Sequence, residues 1–275
     1  MQTEKVIDYI VNWLKDYAVN AKVNGFVVGV SGGIDSAVTS TLCAKTGLDV
    51  LCIEMPIHQA ASHVSRANEH MAQLKKRFSN VKESRVDLTP VFEEFKTEVS
   101  LDAEQATVDM ALANTRARLR MTTLYYHAGL LGLLVAGTGN KVEDFGVGFY
   151  TKYGDGGVDI TPIGDLYKSE VYELGASLGI LDSIMEATPT DGLWDDGRTD
   201  EDQMGLTYDE LEEAMKWGTG SKHYERYVEL RTANLHKMEP IPVCLKKKPN
   251  AVRDAYLYSR RKDEPVNRKA VTSEE

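Results

Sequence analysis

The sequence predicts an α/β protein built on a parallel sheet with helices on both faces. Two observations carry this. Three short apolar runs, at 26–30, 50–55 and 133–136, and the segment 84–88 read as strands. The segments between them have helical periodicity, and strands that alternate with helices form parallel sheets whose crossovers cover both faces.

Each element has its own reason. Residues 4–18 carry Val6, Ile10, Leu14 and Tyr17 at helical spacing, with Thr3 as candidate N-cap. The run Phe26-Val27-Val28-Gly29-Val30 is the first strand, 31–36 a loop, and 36–45 a helix stopped at Gly47. The strand 50–55 leads to a charged amphipathic helix over 60–78, and 84–88 is the third strand. Residues 105–127 are helical to near Gly129, and Leu133-Leu134-Val135-Ala136 is a strand closed by Gly137. Beyond 145 the character changes: glycines cluster in 146–157 and 165–179 is a further helix. Residues 191–203 are polar and acidic with few apolar anchors, so they read as a mobile loop, and 191–205 as a lid over a site. The charged tail after 260 reads as frayed. One domain over 1–275 is expected.

Composition narrows the function. The 275 residues carry a formal charge of -10, a poor match to nucleic acid, whose phosphates ask for a basic surface. The three cysteines, Cys43, Cys52 and Cys244, form no C-x-x-C pair, so neither a zinc site nor a redox pair is suggested. Few cysteines and no N-terminal apolar segment point to the cytoplasm, and no apolar run is long enough to span a membrane.

Ligands of parallel sheets bind at the carboxyl ends of strands. Two loops leave such ends here, 31–36 and 137–144. In the first, Gly32 and Gly33 let the backbone turn sharply and approach a ligand, and the following helix offers unpaired N–H groups with a partial positive charge. Phosphate is the natural occupant. The loop lacks the G-K-[ST] ending of a Walker loop and carries Asp35 instead. A carboxylate beside phosphates needs a cation between them, which argues for Mg2+. The competing reading is a glycine-rich turn with Asp35 as a helix cap.

Ser31-Gly32-Gly33-Ile34-Asp35-Ser36 resembles the pyrophosphate loop of the N-type ATP pyrophosphatases. Further segments narrow the resemblance to the NAD synthetase family. Asn114-Thr115-Arg116-Ala117-Arg118-Leu119-Arg120-Met121 is similar to its N-x-x-A-R-x-R-M helix. Gly137-Thr138 with Glu143 resembles its second ATP and metal loop, and Thr151-Lys152-Tyr153-Gly154-Asp155-Gly156-Gly157-Val158-Asp159 its T-K-Y-G-D-G-G-x-D substrate segment. Lys168, Pro189-Thr190 and His236-Lys237 follow in the family's order. The sequence departs from the short bacterial enzymes at Gly139-Asn140-Lys141, nearer to the N-K-x-E of glutamine-dependent relatives, and by one extra residue between Glu143 and Lys152.

The resemblance implies an adenine nucleotide alpha hydrolase-like, Rossmann-like fold. It implies ATP-dependent amidation of deamido-NAD by ammonia, giving NAD, AMP and pyrophosphate through an adenylate, with no glutaminase domain. Gly29, Val30, Ser31, Gly32, Gly33, Ile34, Asp35, Ser36, Thr138, Lys168 and Thr190 would bind ATP. Asp35 and Glu143 would hold Mg2+, and Arg118, Lys152, Asp159, His236 and Lys237 would bind deamido-NAD. No protein nucleophile is expected, and a homodimer is implied. Taken singly, Arg118 could belong to a solvated arginine face, Lys168 be an exposed lysine, His236 and Lys237 end a helix, and Asp159 close a turn; their joint order carries the functional reading. The rivals are a tRNA-thiolating enzyme, which asks for basic surface and reactive cysteines, and a nucleotide sensor without turnover, which needs no carboxylate pair.

Overall fold

A computed structural model describes residues 2–99, 102–190, 192–194 and 198–244. Residues 1–238 cluster as one compact unit; residues 239–275 form another, described only as irregular chain over 239–244. The expectation for the tail after 260 lies outside the described residues.

The first unit begins with α1 (Thr3–Ala21), which buries Ile7, Ile10, Val11, Leu14 and Ala18 along one stripe. Thr3 is the first helical residue rather than the cap: Gln2 holds the cap position and makes no side-chain cap bond. β1 (Gly25–Gly29), β2 (Asp49–Glu54), β3 (Val81–Arg85) and β4 (Leu133–Val135) form one sheet in the order β3-β2-β1-β4, every pairing parallel. β1 is therefore central, with β2 on one side and β4 on the other, and the sheet changes direction between β1 and β4. Such a switch point opens a crevice beyond the strand ends.

The helices between strands are α2 (Ile34–Lys45), α3 (Ala61–Arg77), α4 (Thr89–Glu98) and α5 (Gln105–Leu131). Side chains alternate across the strands. Phe26, Val28, Val50 and Cys52 pack with residues of α1, α2, α3 and α6 (Lys168–Leu178), whereas Val27, Leu51, Ile53 and Val135 pack with α4 and α5. Both faces are covered, as expected from the sequence.

Several boundaries differ from the sequence-based expectation; β3, for one, starts at Val81 rather than Ser84. β3 ends at Arg85 rather than Leu88, because Asp87 Oδ1 accepts the Thr89 amide and turns the chain into α4, which Pro90 opens. The helix α5 passes Gly129 and stops at Gly132, whose φ of 66° supplies the left-handed cap. Part of the expected acidic loop is helical: α8 (Asp200–Met204) starts on a reciprocal cap between Thr199 and Asp202, and its acidic first turn suits a helix N-terminus. Asp191, Asp195, Asp196 and Gly197 of that expectation lie outside the described residues.

Beyond β4 a π-helical turn, Lys141–Val147, leads through irregular chain to α6, α7 (Asp182–Met185), α8, α9 (Tyr208–Trp217) and α10 (Tyr224–Met238). Val142, Val147, Met204, Tyr208 and Leu211 make a separate small core there. It fixes α9 against the π-helical turn. The amide of Asn234 on α10 donates to Val147 O at 3.0 Å and secures that turn from outside.

Leu14 is fully buried between α1 and the sheet face, whereas Tyr9 on the same helix is 70% exposed. Replacing Leu14 by Ala is expected to cost about 2–5 kcal/mol of stability, and Tyr9→Ala to change it by less than about 0.5 kcal/mol. Denaturant unfolding of the two variants checks this.

Candidate functional site

The site is assembled where the loops after β1 and β4 meet. Ser31–Ser36 joins β1 to α2 and folds on itself: Ser36 Oγ donates to Gly33 O at 2.9 Å and accepts the Ser31 amide at 3.2 Å. Ser31 Oγ shares a hydrogen bond with Ser36 Oγ and accepts the Gly33 amide at 3.3 Å. Gly32 has φ of 84°, and a Cβ there would stand 2.6 Å from His63 O, so both backbone conformation and space demand glycine. Arg66 Nε donates to Gly32 O at 3.1 Å and ties the loop to α3.

The second loop carries Thr138 and a fully buried Asn140. Asn140 Oδ1 accepts the amides of Val142 and Glu143, capping the π-helical turn. Its Nδ2 donates to Asp35 Oδ1 at 3.2 Å, which joins the two loops directly. Between them lies Lys168, the first residue of α6 and 3% exposed. Its ammonium donates to Asp35 Oδ2 at 2.6 Å and to Glu143 Oε1 at 3.0 Å. Tyr208 completes the group: its hydroxyl lies 2.6 Å from Glu143 Oε1 and 3.3 Å from Asp200 Oδ2, and the Lys168 ammonium stands 4.8 Å from its ring.

Burial and charge act against each other here. Burial raises the Asp35 carboxyl above the usual carboxylate range, with Lys168 opposing. At Glu143 burial acts upward too, but the ammonium of Lys168 and the hydrogen bonds from Tyr208 and Lys168 prevail, so it sits below that range. Burial disfavours the charged form of Lys168, yet Asp35 and Glu143 outweigh it and hold the ammonium firmly protonated. Burial, then Glu143 and Asp200, keeps the Tyr208 phenol protonated. The single ammonium bound by both carboxylates shows that Asp35 and Glu143 converge on one cation position. An oxygen-seeking divalent ion fits such a donor pair.

Asp35, Glu143, Lys168 and Asp200 border a cavity of about 270 Å³. Of the residues expected to bind ATP, Gly29, Val30, Ser31, Gly33, Ile34, Asp35, Ser36, Thr138, Lys168 and Thr190 line it. Gly32 contributes its turn without facing the space. The rim includes Arg120, which donates to Met55 O at 3.1 Å and to Gln59 Oε1 at 2.7 Å; Gln59 Nε2 in turn donates to Gly192 O at 2.9 Å.

The residues expected to bind deamido-NAD lie outside this cavity. Arg118 Nε donates to Lys152 O at 3.2 Å, Lys152 Nζ to His236 O at 3.1 Å, and Lys237 Nζ to Tyr150 O at 2.8 Å. These bonds draw α5, the glycine-rich segment and the end of α10 together. Asp159 stands apart from them: its two oxygens accept Tyr125 Oη at 2.9 Å and the Val135 amide at 2.8 Å, clasping the chain to β4.

Sequence reasoning missed Asn140, Tyr208, Asp200, Asp144 and Asp155 as site residues. Asn140 and Asp155 stand inside motifs already singled out, so proximity to those motifs was the available signal. Asp144 and Asp155 are carboxyls on the cavity wall. Burial, followed by the Glu143 charge, lifts Asp144 well above the ordinary range, and burial lifts Asp155 to about 6. A carboxyl whose folded-state value is raised binds its proton more tightly when folded, so this contribution to stability is present at low pH and is lost as pH rises from about 4 to about 6. Asp155→Asn, which keeps an oxygen to accept the Thr151 amide, is expected to be more stable than the parent at pH 7, with the gap closing near pH 4. Thermal unfolding at the two pH values checks it.

Comparison with known proteins places this geometry. Residues 6–247 match the family model described as NAD synthase. The NH(3)-dependent NAD(+) synthetase of Carboxydothermus hydrogenoformans is 37% identical over 241 residues, covering 85% of this chain and 94% of that protein. That of Archaeoglobus fulgidus is 38% identical over 253 residues, covering 89% and 98%. Among solved structures, the NMN synthetase of Francisella tularensis superposes with a TM-score of 0.79 at 33% identity, covering 91% of this chain and 99% of that one. The NH3-dependent NAD synthetase of Campylobacter jejuni superposes with a TM-score of 0.70 at 25% identity, covering 89% and 100%. A central β1 with a serine-glycine loop, a carboxylate pair shared by one lysine and a family match over most of the length agree with one another: the chain belongs to the NAD synthase family.

Proposed function

We propose that this chain is an ATP-consuming ligase that amidates deamido-NAD with ammonia, releasing NAD, AMP and pyrophosphate. The observation that carries the reading is the convergence of Asp35 and Glu143 on one cation position beside the Ser31–Ser36 loop. The chemistry has two steps. A nicotinate carboxylate oxygen attacks the α-phosphorus of ATP and pyrophosphate leaves. Ammonia then attacks the activated carbonyl carbon, AMP leaves with the oxygen, and one proton is lost. A free carboxylate resists ammonia because oxide would have to depart; adenylation supplies a competent leaving group.

The protein's own residues act by position and charge. The N-terminal amides of α2, with Ser31 and Ser36, receive phosphate oxygens. Lys168 neutralises negative charge beside them, and Thr138 and Thr190 border the same space. Asp35 and Glu143 would hold Mg2+, which when bound supplies charge neutralisation of the triphosphate. Arg118, Lys152, Asp159, His236 and Lys237 form the deamido-NAD side of the reading, with Arg118 and Lys237 bonded to backbone carbonyls of the glycine-rich segment. Residues 1–238, one compact unit, carry every residue of this reading. A homodimer is supported by apolar exposure on α5, where Tyr126 and Leu130 are each 66% exposed. A cytoplasmic setting is supported by the unpaired thiols of Cys43 and Cys52. Among the described residues no helix is long and apolar enough to cross a membrane.

A second reading concerns the size of the substrate. The Francisella tularensis relative with a TM-score of 0.79 is an NMN synthetase, which favours a mononucleotide bearing the same nicotinate carboxylate. The amidation is unchanged; only the recognition of the second nucleotide half differs.

Two tests follow. Asp35→Asn and Glu143→Gln are each expected to lower turnover about 10²–10³-fold while circular dichroism stays that of the parent; near-parental NAD formation would remove the metal assignment. Assays with ATP, Mg2+ and ammonium should give a higher kcat/KM for deamido-NAD than for nicotinic acid mononucleotide. The opposite order selects the second reading, and amidation of neither overturns both.

A further inference from the structure

The position of Lys168 is unusual for a phosphate-binding lysine. Its ammonium is directed at two carboxylates, Asp35 Oδ2 at 2.6 Å and Glu143 Oε1 at 3.0 Å, and its side chain is only 4% exposed. The Ser31–Ser36 loop meanwhile satisfies itself internally and through Arg66. The lysine is therefore held by the carboxylates of Asp35 and Glu143, the first of them a member of that loop. The pair cannot keep both partners. A divalent ion between Asp35 and Glu143 would share the space of the ammonium, and two cations at one point repel strongly in a buried setting. The ammonium sits on a flexible four-carbon stem with three donors, so it can leave for phosphate oxygens without a backbone change.

Departure of the ammonium would remove a donor from Glu143 Oε1 and leave the Tyr208 hydroxyl, at 2.6 Å, in place. Tyr208 is 7% exposed and belongs to the small core that also contains Val142 and Val147 of the π-helical turn. Its ring and hydroxyl are thus fixed by the same element that carries Glu143.

We propose that Lys168 is the resident counter-ion of the Asp35–Glu143 pair, that it gives the pair up when a divalent cation binds, and that Tyr208 is the positioning residue that keeps Glu143 in place during the exchange. The inference rests on the reading of Asp35 and Glu143 as metal ligands given under the proposed function.

The experiment is Mn2+ binding to the full chain without nucleotide, read as loss of the free-ion paramagnetic resonance signal. A site whose competent state is only fractionally populated binds with an affinity reduced by that fraction. Lys168→Met, which removes the competitor, is expected to tighten Mn2+ binding about tenfold or more. Tyr208→Phe keeps the ring and loses the hydroxyl; it is expected to weaken binding about tenfold, as removal of a group that orients a metal ligand does. Asp35→Asn is the control on the underlying reading. If it leaves Mn2+ binding untouched, the metal assignment itself falls and this inference with it. If Asp35→Asn weakens binding but Lys168→Met binds no more tightly than the parent, the exchange is overturned and the metal assignment stands. Parental binding in Tyr208→Phe overturns the role of Tyr208. Loss of Lys168 leaves two buried carboxylates without a counter-ion, so the Met variant could fail to fold. The parent protein then decides: the 15N signal of the Lys168 ammonium, assigned by its absence from Lys168→Arg, should move on addition of Mg2+ alone, and no movement at saturating Mg2+ overturns the exchange.

Discussion

The ammonium of Lys168 between Asp35 and Glu143 is the contact on which the rest of this site depends. It joins three parts of the chain that are far apart in sequence: the loop after β1, the π-helical turn after β4 and the start of α6. Charges buried this deeply are tolerated only when paired and hydrogen-bonded, since removing one partner leaves an uncompensated ion in a poor dielectric. The surrounding polar groups serve that pairing. Asn140 donates to Asp35 while capping the π-helical turn, and Tyr208 donates to Glu143 while sealing a small apolar core.

The sheet order makes this contact possible. β1 lies between β2 and β4, and the pairings Gly25↔Leu133 and Val27↔Val135 align the two strands so that their carboxyl ends finish side by side. Loops from adjacent ends converge over the same crevice. The chain between them, α2 through α5, supplies the other cavity walls: Met55, Gln59 and Arg66 from the far side of β1, and Arg120 from the helix that covers the opposite face. Both apolar faces of the sheet are needed for this, because a wall helix is placed only as firmly as its buried stripe.

The two groups of expected site residues have different physical characters. Those around the phosphate loop face a shared cavity and are held by buried, charge-assisted bonds. Arg118, Lys152 and Lys237 lie apart from it, and their side chains meet backbone carbonyls of neighbouring segments, that of His236 among them. Such bonds near solvent are cheap to exchange, so these cations can be redirected to an anionic ligand with little loss, whereas the buried triad can exchange partners only for another cation.

Local chemistry in the chain itself determined much of this protein. Strand segments alternating with helical ones, three of them apolar runs, specify a parallel sheet with two covered faces, because side-chain periodicity and the need to satisfy backbone groups admit few other arrangements. Ser31-Gly32-Gly33-Ile34-Asp35-Ser36 between strand and helix specifies an anion loop, since glycine takes up the φ of 84° at Gly32 without the steric cost a side chain would bring. The end of β3 and the start of α8 were also set locally, by caps between Asp87 and Thr89 and between Thr199 and Asp202 that outweigh the apolar and acidic patterns over the same residues. The tertiary structure alone decided two matters. The partner of Lys168 was decided by folding: the family resemblance marks it as an ATP contact, and its place on α6 turns it to the carboxylates 133 and 25 positions away. Tyr208 was invisible for the same reason. It lies 65 positions from Glu143 on an amphipathic helix with no local mark of function, and only the packing of that helix against the π-helical turn brings its hydroxyl within 2.6 Å of the carboxylate. Periodicity and turn chemistry act between neighbours in the chain, whereas a buried ion is neutralised by whatever the fold carries to it.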